Sequence, residues 1–223
     1  MGCKAVIFDM FETLVTLYRK PLYFSEQIAP DCGLSVAEFK ALWKKSEQDR
    51  TLGKVDFEHV IEDILRTKNV YSKEVLEDVV RKRNESKTGC FETMDPEITV
   101  MFEELHKRGI KIGLITNCFI EEQKAIRAGS IIDYFDVACL SCEIGMAKPD
   151  RRIFEYCMDR LGLSPEECVY VGDGGSHELE TAAELGMKAL QATWYFADNT
   201  RNEVVLKPEF TTLHTPMEVL EYI

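Results

Sequence analysis

The strongest constraint on this chain is a unit that recurs along it: an apolar run too short for a helix, ended by a polar residue and paired with an amphipathic helical stretch. Lys4-Ala5-Val6-Ile7-Phe8 is the first such run; it is rich in strand formers and stops at Asp9. Residues 110–115 form the second, preceded by a stretch over 96–108 with Ile98, Met101, Phe102 and Leu105 at helical spacing and closed by Gly109. The same pattern predicts strands over 136–140, 169–171 and 187–191, and helices over 150–161 and 176–185. Ser164-Pro165-Glu166-Glu167, a capping Ser followed by Pro at the first helical position, adds a short helix. Such alternation implies a mostly parallel sheet with helices on both faces, because parallel strands need crossovers to return the chain.

Between residues 15 and 87 the pattern changes to helices alone. Ser35-Val36-Ala37-Glu38 is a capping box; Asp56 caps a stretch carrying Val60, Ile61 and Ile64 on one face; Ser72 caps another with Val75, Leu76 and Val79. The expected organisation is therefore an α/β core from residues 1–15 and 89–223, interrupted by a helical cap at 16–88, with residues 89–96 as the hinge.

Composition removes several function classes. Charged residues are 30% and hydrophobic ones 45%, as in ordinary globular proteins, and no apolar run nears the roughly 18 residues of a membrane span. With 27 bases against 39 acids the net charge is −12, which disfavours a sequence-independent grip on nucleic acid. No secretory pattern opens the chain, so the eight cysteines are expected as reduced thiols in a cytoplasm. Met1-Gly2-Cys3 lacks the Ser or Thr that acylation wants at position 6, where Val6 stands. Cys139 and Cys142 have no second pair to make a zinc site, and are read as buried thiols.

In open parallel sheets ligands bind beyond the carboxyl ends of the strands, so the residues that follow each apolar run carry the chemistry. These are Asp9-Met10-Phe11-Glu12-Thr13-Leu14, Thr116-Asn117, Lys148-Pro149-Asp150, and Gly172-Asp173-Gly174-Gly175-Ser176-His177-Glu178. A carboxylate, a hydroxyl beside an amide, a cation and an acidic cluster suit phosphoryl transfer. An aspartate attacking a phosphate is anion against anion: two unit charges 4 Å apart repel by about 4 kcal/mol at an effective dielectric near 20. Lys148 and a divalent metal held by Asp9 and Asp173 would offset that repulsion, while Thr116, Asn117 and backbone N–H groups bind phosphoryl oxygens.

These four segments, in this order and with a helical insertion after the first, resemble the haloacid dehalogenase-like hydrolase superfamily over nearly the whole chain. The resemblance implies a Rossmann-like core and assigns Asp9 as nucleophile, Thr116 as phosphate ligand, Lys148 as charge-offsetting cation and Asp173 as a ligand of Mg²⁺. It further implies that Glu178 supports the metal directly or through water, and that the backbone carbonyl of Phe11 is a metal ligand. One position departs from the pattern. Phosphatases of the superfamily carry a second Asp two residues after the nucleophile as general acid and base; here it is Phe11, which transfers no proton. Glu12 follows, where the family commonly has Gly, and its offset by one residue favours a structural role at the cap junction.

The reading that results is a Mg²⁺-dependent phosphohydrolase acting on a small phosphorylated metabolite through an aspartyl-phosphate. Two alternatives stay open: a metal-free haloacid dehalogenase, which also has an aromatic residue at that position but lacks the last motif's acids, and a non-catalytic phosphate-binding relative. His177 reads as a loop residue near the site and Cys118 as a small filler, while Arg50 and Lys54 read as solvated residues between cap helices.

Overall fold

A computed structural model describes residues 2–200 and 205–223; Met1 of the amino-terminal acylation-like triplet lies outside them. In chain order the elements are β1 (Ala5–Phe8), α1 (Ser25–Asp31), α2 (Val36–Trp43), α3 (Glu47–Thr51), α4 (Phe57–Thr67), α5 (Lys73–Gly89), α6 (Pro96–Lys107) and β2 (Lys111–Thr116). There follow α7 (Ile120–Ala128), β3 (Val137–Leu140), α8 (Ser141–Ile144), α9 (Arg151–Leu161), β4 (Cys168–Gly172), α10 (Glu178–Leu185), β5 (Lys188–Ala192) and β6 (Thr211–Leu213). Among the described residues no helix is long and apolar enough to cross a membrane.

The six strands form one parallel sheet in the order β3-β2-β1-β4-β5-β6. β1 lies at its centre, with Ile7 opposite Gly113 on one side and Tyr170 on the other. All four of its residues are buried, and their alternation divides them between two cores. Val6 and Phe8 join Phe102, Leu114 and Val171 beneath α6, while Ala5 and Ile7 join Phe154, Cys157 and Tyr170 beneath α9. A strand buried on both faces carries no polar side chain until it ends, which is why Asp9 marks its end. Burying each large apolar side chain of this kind stabilises by roughly 1.5–3 kcal/mol. The chain runs outward from β1 to β2 and β3, then crosses back to β4, so the strand order reverses at β1 and opens a crevice there.

The five helices between β1 and β2's leading helix α6 have their own core, with Phe39, Phe57, Ile61, Leu65 and Val79 at its centre. Local chemistry sets their starts. Ser35 Oγ accepts from the Glu38 N–H and Glu38 returns a carboxylate to the Ser35 N–H; Asp56 accepts from His59 N–H at 2.9 Å, and Ser72 from Val75 N–H. Two of the contacts that seat this layer on the sheet layer show how closely they fit. At one, α5 presents Arg83 and Lys87 to Glu121 and Glu122 of α7: Arg83 Nε lies 3.0 Å from Glu121 Oε1, and Lys87 Nζ 2.6 Å from Glu122 Oε1. At the other, the turn after α3 meets α8 so closely that a Cβ on Gly53 would stand 2.0 Å from the Cys142 carbonyl oxygen, at a φ of +70° that itself favours glycine.

Several expectations change. Arg50, read as solvated, is only 1% exposed: its guanidinium lies over the rings of Trp43 (3.4 Å to the centroid) and Phe119 (4.3 Å), and its Nε donates to Ser46 Oγ at 3.0 Å, contacts that stand in for hydration. The helix expected over 176–185 begins at Glu178, because His177 adopts a left-handed conformation (φ 55°) at its N-cap. α7 and β6 go beyond the sequence reading. α7 buries Glu121 and Glu122 where a helix pattern would show apolar residues, and β6 is only three residues long. Lys54 is exposed and pairs with Asp49. All eight cysteines are free, with Cys118 and Cys139 fully packed and the sulfurs of Cys118 and Cys142 3.7 Å apart.

Candidate active site

The reversal of strand order at β1 brings the expected residues to one place. Asp9 follows β1, Asp173 follows β4, and Lys148 comes from the loop after α8; together with Asn117 they line a cavity of about 210 Å³. Lys148 Nζ lies 2.6 Å from Asp9 Oδ1, and Asp9 Oδ1 also accepts from the Met10 N–H at 2.7 Å. One carboxylate oxygen each from Asp9, Asp173 and Glu178 falls within 4.8 Å of the others.

Glu178 is held by the loop it closes. Its Oε1 accepts from Gly174 N–H and its Oε2 from Ser176 N–H, both at 2.7 Å. That approach leaves no room beside β4: a Cβ on Gly172 would stand 2.8 Å from Glu178 Oε1. Asp173 accepts from Gly175 N–H at 2.9 Å, and its carbonyl accepts from the Gln191 side chain at 2.8 Å. The acidic loop is therefore fixed from both sides by hydrogen bonds.

The electrostatics are lopsided. Burial, opposed by Lys148 and reinforced by Glu178, pushes the Asp9 carboxyl above its usual range. Burial and the neighbouring carboxylates of Asp9 and Glu178 push Asp173 well above its own. Burial disfavours the charged Lys148, yet Asp9, Glu178 and Asp173 outweigh it and hold the ammonium above its ordinary value. Three carboxylates face one ammonium, and oxygen donors gathered at this density fit a hard divalent cation such as Mg²⁺.

The neighbours of the cluster have other employment. Asn117 Nδ2 donates to the Lys148 carbonyl at 2.9 Å and Asn117 Oδ1 accepts from the Lys148 N–H at 2.7 Å, so the amide clamps the backbone of the lysine. Thr116 is fully buried at the end of β2, its hydroxyl 3.5 Å from the Asn117 carbonyl. Phe11 and Glu12 line the cavity, but both Glu12 oxygens are engaged, accepting from Thr16 Oγ1 at 2.7 Å and Leu17 N–H at 3.0 Å. This ties the loop after β1 to the start of the helical layer, and Glu12 itself stands at a φ of 58°. Tyr18, Ser176 and Asn199 also line the cavity. Tyr18 and Asn199 escaped the sequence reading because neither follows directly on an apolar run.

Comparison with known proteins agrees with this architecture. A family model described as haloacid dehalogenase-like hydrolase matches residues 3–186. A glyceraldehyde 3-phosphate phosphatase of Methanocaldococcus jannaschii is 43% identical over 86 residues, 38% of this chain and 37% of that protein. A phosphoserine phosphatase of Thermus thermophilus is 31% identical over 97 residues, 43% of this chain and 39% of that one. The chain thus spans well under half the length of these two relatives. Among solved structures, a HAD phosphatase from Thermococcus onnurineus aligns with a TM-score of 0.65 at 21% identity, covering 98% of this chain and 96% of that one. A 2-haloacid dehalogenase from Pseudomonas syringae pv. Tomato DC3000 aligns with a TM-score of 0.71 at 20% identity, covering 99% and 97%. At such identities both share the fold. With a strand order that reverses at β1 and a family match across most of its length, the chain belongs to the haloacid dehalogenase-like hydrolases.

Proposed function

We propose that the protein is a Mg²⁺-dependent phosphohydrolase of small phosphorylated metabolites, with Asp9 as nucleophile and residues 16–88 acting as a cap over a core formed by 1–15 and 89–223. The observation that carries this reading is the surplus of buried negative charge: one carboxylate oxygen each of Asp9, Asp173 and Glu178 lies within 4.8 Å of the others, and Lys148 pairs with Asp9 as their cation. A group that stays buried with that surplus is stabilised by a divalent cation, and a phosphate needs the same cation. Asp9 and Asp173, with the Phe11 carbonyl and with Glu178 directly or through water, would hold Mg²⁺, which supplies charge neutralisation to the carboxylates and the phosphoryl oxygens. The phosphatase names of the sequence relatives support the same class, and the free thiols accord with a cytoplasmic setting.

In the first step an Asp9 oxygen attacks phosphorus and the ester P–O bond breaks, leaving an aspartyl-phosphate and the leaving group as its anion. Water then attacks that phosphorus, its proton passes to solvent, and inorganic phosphate departs as the Asp9 carboxylate is restored. Lys148, positioned by Asn117, holds the phosphoryl group against Asp9, and Thr116 and backbone N–H groups contribute donors. Phe11 favours a second reading, displacement of a halide that needs no proton, but that chemistry leaves Asp9 and Asp173 as buried like charges.

The test is release of inorganic phosphate from a panel of phosphate esters with Mg²⁺ or with EDTA. Turnover that requires Mg²⁺ and falls about 10⁴-fold or more in Asp9→Asn is expected. Halide release from 2-haloacids in EDTA, with no phosphate release, would replace this reading by the dehalogenase one.

A further inference from the structure

The sequence pair Cys139-x-x-Cys142 comes apart in the structure. Cys139, on β3, packs into the core beneath α9, whereas Cys142, in α8, packs against the core on the opposite face of the sheet. The sulfur that Cys142 meets is that of Cys118, 3.7 Å away. Each lies two residues beyond the β2–β3 pairing, which ends with Thr116 opposite Leu140. Ser141 holds the two chains together there: its Oγ accepts from the Cys118 N–H at 2.9 Å and donates to the Cys118 carbonyl at 3.1 Å. Paired strands lie about 4.8 Å apart, within the Cα separations of about 4.4–6.8 Å that a disulfide spans.

The two thiols are not equivalent. Cys118 is 1% exposed, whereas Cys142 is half-buried and shares with Cys3 alone, among the described residues, the distinction of being a cysteine that is not fully buried. Negative charge settles on the sulfur that solvent reaches. The hydrogen bond from Cys118 holds the Cys142 thiol below its ordinary value, while giving that bond, together with burial, holds Cys118 well above its own. An accessible, readily ionised thiol beside a buried partner is the arrangement in which peroxide oxidation ends in a disulfide.

We propose that Cys118 and Cys142 form a reversible disulfide on exposure to hydroperoxides, and that this modification loosens the hold on Lys148. The Cys142 thiolate attacks the hydroperoxide: an S–O bond forms, the O–O bond breaks, and the alkoxide takes up the proton the thiol gave up and departs as the alcohol, or as water from hydrogen peroxide. The Cys118 sulfur then attacks the sulfur of the resulting sulfenic acid. An S–S bond forms, the S–O bond breaks, and hydroxide leaves as water with the Cys118 proton. Two electrons pass from the sulfurs to the peroxide.

To reach bonding distance the sulfurs close by about 1.6 Å. Asn117, next to Cys118 in the chain, holds the Lys148 backbone through both ends of its amide, and the loop that carries Lys148 leaves α8, where Cys142 lies. The Cys142 carbonyl stands where a Cβ on Gly53 would be 2.0 Å away, so α8 has no room to yield toward the helical layer. Movement is thereby directed to the Lys148 side. The effect on turnover rests on the phosphohydrolase reading; the disulfide itself does not.

The experiment titrates the reduced full chain with hydrogen peroxide and maps disulfides by mass spectrometry of nonreduced peptides in the wild type, Cys142→Ser and Cys118→Ala. The wild type is expected to give a linked Cys118–Cys142 peptide and to release phosphate from acetyl phosphate about tenfold or more slowly, both reversed by dithiothreitol. Cys142→Ser should keep its turnover through the same treatment, and Cys118→Ala should stop at a Cys142 sulfenic acid that dimedone traps. Two variants are used so that misfolding of one, seen as a lost thermal transition, leaves the other to decide. Oxidation that yields no Cys118–Cys142 peptide would overturn the site, and a linked peptide with unchanged turnover would overturn its coupling to Lys148. If the reduced wild type turns over no phosphate ester, the phosphohydrolase reading falls, and hydrogen exchange over residues 145–150 decides the coupling. Faster exchange in the oxidised protein supports it, and equal exchange overturns it.

Discussion

Two ionic clusters are buried in this molecule, and they are built on opposite principles. Where α5 meets α7, two cations and two carboxylates pair off: Arg83 and Lys87 with Glu121 and Glu122. Beyond β1 and β4, three carboxylates meet Lys148 alone. The carboxyls respond accordingly. Glu122 pays the full cost of burial, but Lys87 and Arg83 beside it hold it below the usual range. Asp173, equally deep, is driven well above it, first by burial and then by Asp9 and Glu178. Lys87 is pushed down by burial and by Arg83, whereas the acids around Lys148 push it up. In the first cluster each cation has a carboxylate partner, although Glu121 Oε2 is left without a hydrogen bond, and the pairing serves architecture. On the reading proposed above, the second is completed by a cation and serves chemistry.

The largest effect expected from this contrast concerns the proton that the unbalanced site cannot supply. General acid catalysis contributes about 10² to 10⁴-fold, so aryl and acyl phosphates are expected to exceed alkyl phosphates by a factor in that range. Pre-steady-state kinetics on an aryl phosphate should show a burst, because hydrolysis of the aspartyl-phosphate proposed at Asp9 would also lack its base. Phe11→Asp should raise alkyl ester turnover. Equal efficiency on both ester classes with no burst would mean that another group delivers the proton.

Breaking the balanced cluster comes next. Glu122→Gln strands Lys87 and should cost about 3–5 kcal/mol in denaturant unfolding, whereas Lys87→Met combined with Glu122→Leu should recover most of that loss. A double variant as unstable as the single one would show that the pair does more than cancel charge. The matching change in the unbalanced cluster has the opposite sign. Asp173→Asn removes a like charge beside Asp9, and without metal should raise stability by about 1–2 kcal/mol; a loss of stability there would contradict the charge count.

The smallest effect lies at an exposed pair outside both clusters. The Lys68 ammonium, 2.9 Å away, and the Ser35 cap hold the Glu38 carboxyl down to about 2 from 4.5. A depressed carboxyl contributes stability above its unfolded value that disappears as the pH falls through the folded one. The melting difference between wild type and Glu38→Gln should therefore be present at neutral pH and shrink below about pH 4.5; a difference that grows on acidification would refute it.

The unbalanced cluster was largely legible in the sequence because β1 and β4 are buried on both faces, so the first acid after each apolar run is also the first residue beyond the sheet. Lys148 was legible through its motif alone, since the loop that delivers it follows a four-residue helix with no periodicity to read. The balanced cluster was hidden for a physical reason: Glu121 and Glu122 occupy buried positions, which breaks the apolar stripe of α7, and their partners lie on α5 far along the chain. Arg50 was misplaced in the same way. Its burial depends on Trp43 and Phe119 closing over it from two layers, and sequence spacing does not record that. The insertion was legible as helices because caps and local periodicity are short-range signals.

The central claim is that the three-acid cluster is a cation site while the two-and-two cluster is not, and calorimetric titration with Mg²⁺ tests it most directly. Wild-type protein should bind Mg²⁺, Asp173→Asn should bind it at least about tenfold more weakly, and Glu122→Gln, if folded, should bind it as the wild type does. Wild-type protein that takes up no divalent cation at millimolar concentration, or an Asp173→Asn variant that binds Mg²⁺ undiminished, would contradict the account.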